Sequence, residues 1–235
     1  MSIRYILFDL DGTLLPLDQD LFIRSYMSAL STYMEQHGFE PSVFQETIWR
    51  STGSMMHNDG SYLNEQVFWD IFTRVYGKNA RKCEPILETF YHTHFPKIQN
   101  DCGYTPEAAH TVQTLKEMGL SLVLATQPVF PAIATQTRMS WAGLKPEDFI
   151  YYTTYENSSF CKPNPGYYLE ILERIHADPS ECLMVGNDAE EDLAAETVGM
   201  RVFLLTDCLL NRKGKELSGY PQGDWAALMD YIRSL

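Results

Sequence analysis

The feature that most constrains this chain is a short apolar run that stops abruptly on two aspartates. Residues 3–8, rich in isoleucine, tyrosine and phenylalanine, lead straight into Asp9-Leu10-Asp11-Gly12-Thr13. An apolar run without strict alternation suits a strand covered on both faces, the environment of a parallel sheet. Ligands of open parallel sheets bind beyond the carboxyl ends of the strands, so Asp9 is placed at a ligand-binding edge. A spacing of two lets both carboxylates face one side while the chain stays extended. Two such carboxylates raise one another's pKa unless a cation relieves them. Gly12 frees the backbone to turn after the pair. An acidic strand-to-helix turn with no chemical role is the plain alternative.

The rest of the chain agrees with a parallel sheet. Strands are predicted over Ser121–Ala125, Phe149–Thr153, Cys182–Val185 and Val202–Leu205. Helices are predicted over 106–118, 130–142, 165–176, 190–198 and 224–233. Alternation of this kind builds βαβ units, an α/β fold with a Rossmann-like parallel sheet flanked by helices. Residues 17–104 break the pattern. Leu21, Phe22, Tyr26, Leu30, Tyr33 and Met34 recur at helical spacing, with Gly38 as a stop. Further helices are expected around Phe44–Trp49, Val67–Val75 and 84–98, and no strand. At about 150 residues per domain, 235 residues make about 1.6 domains. That suits one core, 1–16 and 105–235, interrupted by an inserted helical unit, 17–104.

Charge and cysteine usage exclude several roles. Eighteen Lys and Arg against 31 Asp and Glu give a net charge of −13. Such a surface repels nucleic-acid phosphates and anionic membranes. No apolar run approaches the ~20 residues of a spanning helix, and the N-terminal run turns acidic too soon for a signal peptide. Cys83, Cys102, Cys161, Cys182 and Cys208 include no CxxC pair, so a zinc site is unsupported. Buried thiols in a reducing cytoplasm are expected. No feature marks an oligomer interface.

Three further motifs follow strands. Gly186-Asn187-Asp188-Ala189-Glu190-Glu191-Asp192 follows Cys182–Val185. Asp188 and Asp192 share a face if a helix starts there. Hard oxygen ligands without histidine or cysteine suit Mg²⁺, although acids at a helix start also serve as caps. Lys162 lies in Cys161-Lys162-Pro163-Asn164-Pro165-Gly166, where prolines fix the loop. A lysine beside clustered aspartates balances their charge and holds an anionic substrate; an exposed loop lysine is the common alternative. Thr126-Gln127 ends the 121–125 strand and offers a hydroxyl and an N–H to phosphoryl oxygens. Elsewhere, His92 and His94 point to different helix faces. Arg50 and His57 flank a polar stretch. The aromatics Trp49, Phe68, Trp69, Phe72 and Tyr76 read as helical core or as a pocket.

Taken together, these four motifs resemble the haloacid dehalogenase superfamily, in order and each after a predicted strand. The helical stretch matches the position of that family's cap. The resemblance implies a phosphohydrolase acting on a small phosphorylated metabolite. Asp9 would be the nucleophile and form an aspartyl-phosphate, and Asp11 would act as acid and then base. Thr126, Gln127 and Lys162 would hold the phosphoryl group. Mg²⁺ would be bound by Asp9, the Asp11 carbonyl and Asp188, with Asp192 behind them. Gln127 stands where the family often has Asn, and Asn187 intervenes in its usual Gly-Asp, so Asn187 or Glu191 competes for the metal role. The dehalogenase branch typically lacks an aspartate at position 11. A sugar-phosphate mutase, a phosphonate hydrolase and a non-enzymatic binding protein remain alternatives on the same scaffold.

Overall fold

The computed structural model describes residues 2–235. Six strands form one sheet: β1 (Tyr5–Phe8), β2 (Ser121–Leu124), β3 (Tyr151–Tyr152), β4 (Cys182–Gly186), β5 (Arg201–Leu205) and β6 (Gln222–Gly223). Their order is β3-β2-β1-β4-β5-β6, and every pairing is parallel. β1 is central, with Phe8 opposite Leu124 on one side and Val185 on the other. The chain leaves β1 for β2 on one side and returns across it to β4. A crevice therefore opens at the carboxyl end of β1.

Alternate residues of the strands feed two cores. Ile6, Phe8, Leu122, Leu124, Leu183 and Val185 pack on one face. Leu7, Val123, Met184 and Leu204 pack on the other, under α7 (Pro165–Ile175) and the 3₁₀ turns of Asp192–Val198. Burial on both faces is what the apolar run near the N-terminus predicts. β6 was not foreseen: two residues carry no period to read.

Between β1 and β2 the chain is helical: α1 (Gln19–Glu35), α2 (Pro41–Met56), α3 (Asn64–Tyr76), α4 (Glu84–Thr93) and then α5 (Pro106–Glu117). Asp18 caps α1, accepting from Leu21 N at 2.9 Å, and Glu40 caps α2 ahead of Pro41. The single helix expected over 84–98 is two pieces, because Phe95–Asp101 tightens to 3₁₀ around Pro96. The chain enters and leaves this segment at one place, where Gly103 N donates to Pro16 O at 2.7 Å. The segment shares the core of the sheet. Phe95 stacks on Trp141 of α6 (Ala132–Trp141) at 5.2 Å and meets Phe22, Tyr26 and Phe130 edge-on or tilted.

Phe95→Ala removes a fully buried ring from that junction and should cost about 3–5 kcal/mol in urea unfolding. All five cysteines are free, and burial pushes the Cys83 thiol up to about 11 and those of Cys161 and Cys182 up to about 12. At pH 8 these three should resist iodoacetamide in the folded protein and label only on unfolding, as read by peptide mass spectrometry.

Candidate active site

Three strand ends bring the sequence motifs together. Asp9 follows β1, with its N–H on Val185 O at 2.9 Å. Ala125 N donates to Phe8 O at 2.7 Å, which brings Thr126 beside Asp9. Asn187 and Asp188 follow β4 on the other side. Asp9, Thr126, Lys162, Asp188 and Asp192 are all buried.

Lys162 joins the two halves of the crevice. Its Nζ donates to Asp9 Oδ1 at 2.8 Å and to Asp192 Oδ1 at 2.7 Å, and no part of its side chain reaches solvent. The other oxygen of Asp192 accepts from the N–H groups of Asn187 and Asp188, at 3.0 and 2.9 Å. Gly186 makes this approach possible: a Cβ there would stand 2.0 Å from Asp192 Oδ2. The lysine loop is clamped in turn. Gln127 Nε2 donates to Lys162 O at 3.1 Å, and Lys162 N donates to Gln127 Oε1 at 3.0 Å. The Lys162–Pro163 peptide is cis, and Asn164 caps α7.

Burial sets the electrostatics. It raises the Asp9 pKa, an effect that Lys162 opposes and Asp11 adds to. It pushes Asp192 up to about 6, again against the pull of Lys162. For Lys162, burial alone would lower the ammonium pKa, but Asp192 and Asp9 outweigh it and hold it well above its ordinary value. Burial also pushes Glu191 up to about 8, with Lys162 opposing.

A second buried cation was not anticipated. Arg138 of α6 is wholly enclosed. Its Nη1 pairs with Asp11 Oδ2, and its guanidinium lies 4.5 Å from the centre of the Phe130 ring. The signal was present in the sequence. Arg138 shares a helical face with Ala134, Thr135, Met139 and Ala142, all of which are buried, and a buried arginine requires a carboxylate.

Other side chains take particular places. Gln127, expected among the phosphoryl contacts, has its amide on the Lys162 main chain and on Glu191 Oε1 at 3.1 Å. Asn187 lies 3.0 Å from the Thr13 hydroxyl and donates to Cys208 O at 2.7 Å. Thr13 is also 3.2 Å from Asp9 Oδ2, and its single proton serves one of the two. The helix expected from residue 190 begins as turns. Asp188 Oδ1 caps them through Glu190 N and Glu191 N, and Oδ2 faces Arg212 at 3.5 Å. Among the described residues, no three His, Cys, Asp or Glu side chains converge as a metal cluster.

A family model for haloacid dehalogenase-like hydrolases matches residues 3–199. The chain belongs to that family. Among curated relatives of this hydrolase is pyrophosphatase PpaX of Bacillus cereus (strain Q1). It is 24% identical over 212 residues, covering 90% of this chain and 87% of the relative. Among solved structures, a 2-haloacid dehalogenase from Pseudomonas syringae pv. Tomato DC3000 superposes with a TM-score of 0.64 at 19% identity, covering 99% of both chains. A HAD phosphatase from Thermococcus onnurineus superposes at 0.57 with 20% identity, covering 99% of this chain and 98% of that one. These two structures share the fold.

The buried triad generates a stability prediction. Lys162→Met leaves Asp9 and Asp192 enclosed without their cation and should cost about 3–5 kcal/mol in urea unfolding at pH 7. Adding Asp192→Asn should restore part of that loss, which a double-mutant cycle measures.

Proposed function

We propose that this hydrolase is a Mg²⁺-dependent phosphatase acting on a small phosphate monoester through an aspartyl-phosphate. The observation that carries the reading is a pair of unused oxygens beside Asp9. Asp11 Oδ1 and Thr126 Oγ1 are buried and have no hydrogen-bond partner. An unpaired buried polar atom costs about 1–3 kcal/mol, so two of them at the strand ends argue for a ligand that completes them. A halide leaves without a proton, so a carbon–halogen hydrolase has no use for a carboxyl at position 11. An alkoxide leaving group does.

In this reading an Asp9 carboxylate oxygen bonds to phosphorus as the bond to the leaving oxygen breaks, and Asp11 gives that oxygen a proton. Water then attacks the phosphorus, Asp11 takes its proton, and Asp9 departs as a carboxylate. Thr126 and Lys162 hold the phosphoryl oxygens. Gln127 contributes by fixing the lysine loop. Arg138 orients the Asp11 carboxyl, leaving Oδ1 for the proton transfers. Residues 17–104 act as a cap over a core formed by 1–16 and 105–235.

The donor set fits a magnesium ion. Lys162 and Arg138 are buried against Asp9, Asp192 and Asp11, and the exposed Arg212 lies 3.5 Å from Asp188. A divalent ion would add the positive charge that an incoming phosphate dianion needs beside these carboxylates. Asp9, the Asp11 main-chain carbonyl and Asp188 would hold it, with Asp192 fixing the Asp188 segment through its N–H. Hard oxygens are the ligands this ion prefers. When bound it neutralises phosphoryl charge during attack.

Asp9→Asn should reduce hydrolysis of p-nitrophenyl phosphate to background while the protein still unfolds cooperatively. Retained turnover would refute the nucleophile. EDTA should abolish activity, and excess Mg²⁺ should restore it. Released phosphate, rather than an isomerised ester, distinguishes a phosphatase from a mutase. Inclusion of pyrophosphate alongside monoesters tests which phosphate class is preferred.

A further inference from the structure

Arg212 stands beside Asp188 with no part in the proposed reaction. It lies in the loop after β5, among residues laced to the segment that carries Asp188. Leu210 N donates to Asn187 O, and Ala189 N to Leu210 O, each at 2.8 Å. Asn187 Nδ2 donates to Cys208 O at 2.7 Å. Just beyond Arg212, Lys213 N donates to Glu190 Oε1 at 3.2 Å, and Lys213 Nζ lies 3.3 Å from Glu190 Oε2. The loop therefore presents Arg212 at a fixed place along the Asp188 segment.

The guanidinium is exposed, yet both prongs of its fork meet a partner. Nη2 donates to Gln19 Oε1 at 2.7 Å, at the start of α1. Nη1 faces Asp188 Oδ2 at 3.5 Å. The cleft that Arg212 borders has a volume of about 560 Å³ and is also lined by Asp11, Asp18, Asp20 and Asp207. Among the described residues, Arg212 is the one lysine, arginine or histidine in that lining. Such a field favours any cation, built in or bound.

The two oxygens of Asp188 are not equivalent. Oδ1 accepts from Glu190 N at 2.7 Å and from Glu191 N at 2.9 Å. A metal at Oδ1 would displace those N–H groups. Oδ2 is the oxygen open to a hard cation, and it is the one that Arg212 faces. An ion about 2 Å from Oδ2 stands within about 6 Å of Nη1 if the arginine keeps its place. At that separation a divalent ion and a guanidinium repel by about tenfold in affinity even in a water-like medium, and salt lowers the figure. We infer that Arg212 is a built-in competitor for the magnesium site. Its guanidinium and the divalent ion contend for Asp188 Oδ2, which holds the metal affinity below what the carboxylates alone would give. The inference rests on the reading of Asp188 as a metal ligand.

Calorimetric titration of the full chain with magnesium chloride tests it. Arg212→Gln should tighten Mg²⁺ binding about fivefold, because the wild-type side chain escapes part of the repulsion by turning into solvent. Lys213→Gln is the control for net charge. It removes the same charge one residue away, but from a partner of Glu190, and should change the affinity less than about twofold. Equal or weaker binding in Arg212→Gln, or equal tightening by both variants, would overturn the inference.

Thermal unfolding gives a readout that a merely structural role would not move. In EDTA, Arg212→Gln lacks the contacts to Asp188 and Gln19 and should have a lower Tm than the wild type. With Mg²⁺ well above its Kd the gap should close, because the ion stabilises the variant more. A gap of the same size in both media makes Arg212 a tether for α1 alone and overturns the competition. An unchanged Kd in Arg212→Gln, with EDTA-sensitive and Asp9-dependent turnover of p-nitrophenyl phosphate, removes the competitor and leaves the phosphatase standing. No Mg²⁺ binding by the wild type, or binding that Asp188→Asn leaves intact, overturns the metal assignment and the inference with it.

Discussion

The structure turns on one lysine with no access to water. Lys162 is a full charge enclosed in the interior, and such a charge is tolerable only where partners surround it. Asp9 and Asp192 supply them at 2.8 and 2.7 Å. Those carboxylates come from different strand ends, so the pairing requires β1 and β4 to be neighbours in the register seen, with Phe8 opposite Val185. It also requires Gly186, because Asp192 occupies the space a side chain would fill. The lysine arrives from a third loop, which Gln127 holds by both of its amide ends. Local choices in four separate stretches of sequence are thus set by where one ammonium group must sit.

The second buried cation divides the carboxylates between two tasks. Lys162 serves Asp9 and Asp192, while Arg138 serves Asp11 from the opposite wall. The two aspartates of the first motif therefore sit in unlike surroundings although they are two residues apart. Asp9 has both oxygens near protein donors, Lys162 and Thr13. Asp11 has one oxygen held by Arg138 and the other free of partners. In the proposed mechanism, a nucleophile that must be fixed and an acid that must give and take a proton ask for that difference. Arg138 also ties the site to the aromatic junction, because its other face is covered by Phe130.

The sheet and the main motifs were legible because each is local in sequence. Buried parallel strands are apolar without alternation, and Asp9, Thr126 and Asp188 each follow such a run. The helices of residues 17–104 showed their 3.6-residue period. What escaped is either too short to read or depends on partners far along the chain. β6 is two residues long. The turn after Asp188 looks helical by composition, but Asp188 and Asp192 draw its N–H groups into caps instead. The sequence points to the Gln127 main-chain N–H as a phosphoryl contact and gives no cue for its side chain. Its actual partners are 35 and 64 residues away, a distance no motif spans. Arg138 lay on an apolar helix face, but its partner is 127 residues distant.

The net charge of −13 takes on a local meaning through this arrangement. In the proposed function, a surface that repels phosphates in general must still admit one at Asp9. Lys162 is paired with two carboxylates and Arg138 with a third, so neither brings net positive charge to an anion, although Lys162 keeps its third N–H for a phosphoryl oxygen. In that reading the added attraction for a phosphoryl group comes from the proposed divalent ion. A bare phosphate enters this acidic protein against its field.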